Sequence, residues 1–146
     1  MKNKSTSPVI MITKAQKISI NAHRGQKDKG GVDYYLHPQR VAANCKTTDE
    51  KIVALLHDTI EDTSVTAEYL LSEGFSGEIV DAVLSVTKRE GESYHDFVLR
   101  AGENEIGRVV KINDILDNMD LSRLKTLSDE DLLRNKKYLD ALRVLM

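Results

Sequence analysis

The chain has little that would cross-link, anchor or interrupt it. Its one cysteine, Cys45, can form no internal disulfide and reads as a small, inert helix residue. No apolar run approaches the roughly 18 residues that a membrane span needs. The stretch "PVIMI" after Lys2 and Lys4 is too short for a secretory core and lacks a cleavage pattern, so a cytoplasmic protein is expected. Positive charge is not in excess: 21 basic against 23 acidic residues leave a formal charge of −2, without the broad electropositive field of non-specific nucleic-acid binding. Neither nucleic acid nor a membrane is an expected partner. There is no repeat, linker or low-complexity tract, and 146 residues with 40% hydrophobic content suit one domain, 1–146, around one core.

Only two prolines and eight glycines punctuate the chain, and helical periodicity fills the intervals, predicting an all-α bundle of about eight helices with no strand. A first helix over about 10–23 carries Ile12, Ala15, Ile18 and Ala22 and runs out at the polar "HRGQKDKGGVD", expected to be a mobile loop. Pro38 suits the first position of a second helix, which puts His37 at its entrance. A third begins near Thr48 and runs through Ile60. "TSVTAEYLLSEG", "SGEIVDAVLSVTK", "SYHDFVLRAG" and "NEIGRVVKINDILDNMD" read as the next four, and an amphipathic helix over about 128–146, capped by Ser128, closes the chain.

Two of these helices carry polar residues on otherwise apolar faces. "ALLHDTIEDT", residues 54–63, sets His57, Asp58, Glu61 and Asp62 among Ala54, Leu55, Leu56 and Ile60, and the three- and four-residue spacings make them neighbours on a continuous helix. "VVKINDILDNM" likewise interrupts an apolar helix with Lys111, Asp114 and Asn118. A solvated helix end with a satisfied core histidine explains an isolated His-Asp pair. With His37 added, however, the chain supplies His, His-Asp and Asp on separate helices that folding can bring to one point. Neutral imidazole and ionised carboxylate together suit a divalent transition metal, and coordination would satisfy the buried charges. Only four histidines exist, His23, His37, His57 and His95, which favours one metal over a binuclear His-rich centre.

In order and spacing, "AHRGQ", "YYLHP", "ALLHDTIEDT", "VTK" and "KINDILDNMDLSRL" resemble the HD-superfamily hydrolase domain of RelA/SpoT-type alarmone enzymes, over about residues 13–124. The resemblance implies an all-α fold and one metal, usually manganese, bound by His37, His57, Asp58 and Asp114. It implies that Glu61 and Asp62 position and activate the attacking water, that Arg24 stacks on or clamps the base, that Lys88 meets phosphate, and that Asn118 bonds the sugar or base. The implied reaction removes the 3′-pyrophosphate of guanosine tetra- or pentaphosphate. Alternatives are another nucleotide, such as a nucleoside monophosphate or a phosphorylated dinucleotide cofactor, or a nucleotide sensor without turnover.

Lys27, Lys29, Arg40 and Arg89 are further cations near a polyanion, for which plain surface roles compete; Tyr34, His23 and His95 read as packing or surface residues. Two positions depart from the family pattern. Asn113 stands where a small residue is usual, with the expectation of a bond to Asp114, and Asp117 stands where His or an aromatic precedes Asn118, with the expectation of extra negative charge near the polyphosphate. The chain ends soon after these motifs, and a small stand-alone hydrolase without a synthetase half or regulatory region is expected.

Overall fold

The computed structural model describes residues 7–146; Lys2 and Lys4 of the leader argument lie outside the described residues. Among the described residues nine α-helices follow one another: α1 (Pro8–Ala22), α2 (Leu36–Ala43), α3 (Thr48–Leu56), α4 (Thr59–Asp62), α5 (Ala67–Ser72), α6 (Gly77–Ser85), α7 (Tyr94–Gly102), α8 (Glu105–Asn118) and α9 (Asp129–Leu145), with a 3₁₀ turn at Leu121–Arg123 between the last two. Among the described residues there is no strand, only a single antiparallel bridge between Lys27 and Asp33.

The starts of these helices follow local chemistry. Ser7, Thr47, Thr66, Ser76, Ser93, Asn104 and Ser128 each accept a backbone N–H of the first turn, and Thr47 with Glu50 and Ser128 with Asp131 close reciprocal capping boxes. Helix α3 is the centre: Ile52, Val53, Ala54, Leu55 and Leu56 are all buried, and α1, α2, α6 and α8 pack around it. A smaller apolar cluster, Val98, Ile115, Ala141, Leu142 and Leu145, fastens α7, α8 and α9 together. Helix α8 contributes to both clusters and meets α6 closely at Gly107, where a methyl group would overlap Ser85 Oγ.

Four expectations change. Helix α2 starts at Leu36, so Pro38 is its third residue, still within the first turn where a missing N–H costs nothing. Cys45 is buried but follows α2 in the connecting turn. The segment 24–33 is hydrogen-bonded internally, with Asp28 Oδ1 accepting the N–H groups of Gly30 and Val32. The long third helix is broken at His57 and Asp58, because side chains take its last carbonyls: His57 Nδ1 donates to Ala54 O at 2.6 Å and Thr59 Oγ1 to Leu56 O at 2.8 Å.

Candidate metal centre

That break places two successive side chains in one depression. His57 closes α3, Asp58 sits at φ −102° and ψ −2°, and the chain resumes as α4. Helix α2 brings His37 and α8 brings Asp114, and the four meet. His37 Nε2 lies 2.9 Å from Asp114 Oδ1 and 3.8 Å from Asp58 Oδ2; His57 Nε2 lies 3.1 Å from Asp58 Oδ2 and 3.4 Å from Asp114 Oδ1. His37, His57 and Asp114 are buried, and Asp58 is half-buried.

The arrangement fits a metal on its own chemistry. With its Nδ1–H committed to Ala54 O, neutral His57 presents a bare lone pair at Nε2, and this buried atom has no hydrogen-bond partner. A lone pair facing two carboxylate oxygens is repelled by them unless a cation lies between. Donor atoms of His37, His57 and Asp58 all fall within 4.8 Å of one another, so this His/Asp group can hold a divalent metal.

Without metal, protons take that place. Burial opposes charge on His57, but the Asp58 and Asp114 carboxylates outweigh it and hold the imidazole well above its usual 6.5. Burial likewise opposes charge on His37, and its bonds to Asp114 and Asp117 raise it. Burial works against ionisation of Asp58, yet His57 draws it down to about 2. Asp114 is held well below the usual carboxylate range, against burial, chiefly by Lys111 and His57; Lys111 Nζ is 3.1 Å from Asp114 Oδ2.

No family model matches the chain. Curated relatives do. It is 34% identical over 120 residues to the guanosine-3′,5′-bis(diphosphate) 3′-pyrophosphohydrolase of Aquifex aeolicus, covering 74% of this chain and 17% of that protein. It is 31% identical over 140 residues to the "Probable guanosine-3′,5′-bis(diphosphate) 3′-pyrophosphohydrolase" of Mycoplasma pneumoniae, covering 93% and 19%. A GTP pyrophosphokinase of Myxococcus xanthus is 33% identical over 127 residues, covering 75% and 17%. The chain thus spans less than a fifth of the length of these relatives. A solved structure described as "A metazoan ortholog of SpoT hydrolyzes ppGpp and plays a role in starvation responses" shares the fold, with a TM-score of 0.75 over 94% of this chain and 88% of that one, at 23% identity. The chain carries an HD-type domain of the RelA/SpoT kind.

Around the ligand cluster of this HD-type domain lie residues the sequence singled out and residues it did not. A cavity of about 270 Å³ opens beside His37, lined among others by Tyr34, Asn118, Lys27, Arg40 and Arg123. Asn118 Nδ2 donates to Asp114 Oδ1 at 3.1 Å. Arg24 and Lys88 are exposed and do not line this cavity: Arg24 Nη2 donates to Asn21 Oδ1 at 2.6 Å, and the backbone N–H of Lys88 donates to Glu61 Oε1 at 2.8 Å. Asp62 lies at the exposed end of α4, where partial burial of its carboxyl and the negative charges of Asp58 and Glu61 push it up to about 6.

The two departures from the family pattern resolve differently from expectation. Asn113 Nδ2 bonds Val109 O at 3.0 Å and approaches Cys45 Sγ at 3.7 Å instead of reaching Asp114, because successive side chains leave a helix roughly 100° apart. Asp117 adds no uncompensated charge: Arg40 Nε meets its Oδ1 at 2.9 Å and Arg123 Nη2 its Oδ2 at 3.4 Å. Tyr34 is more than packing, since its hydroxyl donates to Asp58 Oδ2 at 2.5 Å. His23, 1% exposed, packs against Tyr34 with the rings tilted by 57° and 5.1 Å between centroids, and His95 is exposed. Sequence reasoning missed the bond between His37 and Asp117 and the role of Arg123; the acid before Asn118 was the one available signal.

Proposed function

We propose that this domain hydrolyses the 3′-pyrophosphate of guanosine tetra- or pentaphosphate, giving GDP or GTP and pyrophosphate, and that it uses one divalent ion, manganese, held by His37, His57, Asp58 and Asp114. The observation that carries the reading is the convergence of those four side chains around the unpartnered Nε2 of His57. Named relatives with the same chemistry in their names support it.

A bound divalent ion supplies Lewis acidity toward phosphoryl oxygens and lowers the pKa of water. The protein's own residues do the rest. Asp62, with a carboxyl at about 6, is matched to accept a proton near neutral pH, and Glu61, tethered to the Lys88 N–H, sits beside it to orient the water. The cavity next to His37, where Lys27, Lys29, Arg40, Arg123 and Arg134 outnumber Asp28, Asp120 and Asp131, receives a polyanion, and Asn118 joins that cavity to the Asp114 carboxylate. Arg24 and Lys88, exposed in this structure, are assigned to the base and phosphate of the substrate. Residues 1–146 form one hydrolase domain in this reading, with the family resemblance over about 13–124 and α9 packed on α7 and α8.

The test is product analysis. Purified protein is incubated with manganese and a nucleotide panel that includes guanosine tetraphosphate, a nucleoside monophosphate and a phosphorylated dinucleotide cofactor. Pyrophosphate released from guanosine tetraphosphate supports the proposal. Orthophosphate from another nucleotide replaces the substrate, and tight nucleotide binding without any product makes the domain a sensor.

A further inference from the structure

The α2–α8 interface carries more than two metal-ligand candidates. His37 and Arg40 are three apart on α2, and Asp114 and Asp117 are three apart on α8, so each helix presents two groups one turn apart. They meet as two rungs. In the first, His37 Nε2 faces Asp114 Oδ1 at 2.9 Å. In the second, Arg40 forks onto Asp117, Nε to Oδ1 at 2.9 Å and Nη2 to Oδ2 at 3.1 Å. A diagonal joins them: His37 Nδ1 lies 2.6 Å from Asp117 Oδ2. From the 3₁₀ turn, Arg123 Nη2 adds a bond to the Asp117 carbonyl at 2.7 Å.

We propose that Asp117 is a positioning residue for the metal centre: by accepting the Nδ1–H of His37 it fixes the tautomer and ring orientation that leave Nε2 free to ligate. The inference rests on the metal reading above and adds to it a residue that the family pattern does not supply, since His or an aromatic is usual before Asn118.

The chemistry follows from the acceptor. An ionised carboxylate only accepts, so the hydrogen shared with Asp117 belongs to His37 Nδ1; the proton that Nε2 shares with Asp114 Oδ1 in the metal-free protein is the one a metal would displace, leaving the Nε2 lone pair to ligate. Asp117 is only 8% exposed, so water does not compete for that bond. His57 reaches the same tautomer by a different device, donating Nδ1–H to the backbone carbonyl of Ala54. A carboxylate pulls harder on the Nδ1 hydrogen than an amide carbonyl and makes Nε2 a stronger donor to a metal. Arg40 and Arg123 neutralise the buried carboxylate and hold both of its oxygens, so it does not swing toward the metal itself.

Manganese affinity measured by calorimetry on metal-free wild type, Asp117→Asn and Asp117→Leu tests the proposal, alongside long-range ¹H–¹⁵N NMR of the imidazoles with zinc as a diamagnetic probe. Asp117→Asn is nearly isosteric and keeps the fold; it should weaken manganese binding by about 10-fold, and Asp117→Leu by up to about 100-fold. The His37 ring should be a single Nδ1–H tautomer in the zinc-loaded wild type and, at a pH above its titration where the ring is neutral, also in the metal-free wild type, but a mixture of tautomers in metal-free Asp117→Leu at that pH. Equal affinity in all three proteins, or an unchanged His37 tautomer in Asp117→Leu, overturns the proposal. So does an affinity loss that merely tracks a fall in melting temperature. Failure of the wild type itself to bind manganese overturns the metal reading instead.

Discussion

Glu61 and Asp62 are where the proposed function separates holding a metal from doing chemistry. Neither belongs to the cluster of His37, His57, Asp58 and Asp114: Glu61 is engaged with the Lys88 N–H, and the Asp62 carboxyl is set at about 6. The double change Glu61→Gln and Asp62→Asn keeps shape and removes two charges that can accept or orient a water proton. It should lower turnover by roughly 10²–10⁴-fold while manganese still binds in a calorimetric titration. Near-normal turnover would show that the water-activating pair is wrongly assigned. His57→Ala should behave differently in kind, losing metal and activity together, because it deletes the lone pair the site is built around. The residues of the proposed metal site were legible from motif order, since His37, His57, Asp58 and Asp114 are residue types that apolar faces exclude. The pairing of His37 with Asp117 was not, because the two are 80 positions apart and no local spacing connects them.

At the scale of the element, caps and apolar periodicity revealed most helices, Ser128 among them. The break between α3 and α4 was hidden because both sides continue one helical pattern, and what ends α3 is a pair of side-chain bonds to carbonyls. The position of α8 was equally hidden, since it depends on the approach of Gly107 to Ser85. Gly107→Ala should destabilise the protein by about 1–3 kcal/mol in chemical denaturation through overpacking. Adding Ser85→Ala removes the atom that the new methyl meets, so the double variant should recover part of that loss. A Gly107→Ala protein as stable as wild type would remove the close α6–α8 approach from the account.

For the whole molecule, the His37, His57, Asp58 and Asp114 cluster should couple stability to pH and, in the proposed function, to metal. His57 is held well above 6.5 in the folded, metal-free protein, so its protonation stabilises the fold fully below 6.5, and that contribution is lost as pH rises through the folded value. Asp58 and Asp117, both drawn down to about 2, act in the opposite direction, stabilising above the ordinary carboxylate range and failing only in strong acid. The metal-free protein should therefore melt highest in mild acid and lose stability on the alkaline side, while saturating manganese should lift the alkaline limb by replacing the proton. A metal-free melting temperature that stays flat from mild acid to alkaline pH would contradict this linkage. By the same competition, manganese affinity should fall as pH drops through the raised titration range of His37 and His57.

The account turns on one ion among four side chains, and diffraction from manganese-soaked crystals at the metal's absorption edge measures that directly. A single anomalous peak is predicted, with His37 Nε2, His57 Nε2 and one oxygen each of Asp58 and Asp114 at roughly 2 to 2.2 Å from it. A fully loaded crystal with no peak there, or with a peak that leaves His57 Nε2 outside the coordination sphere, would contradict it.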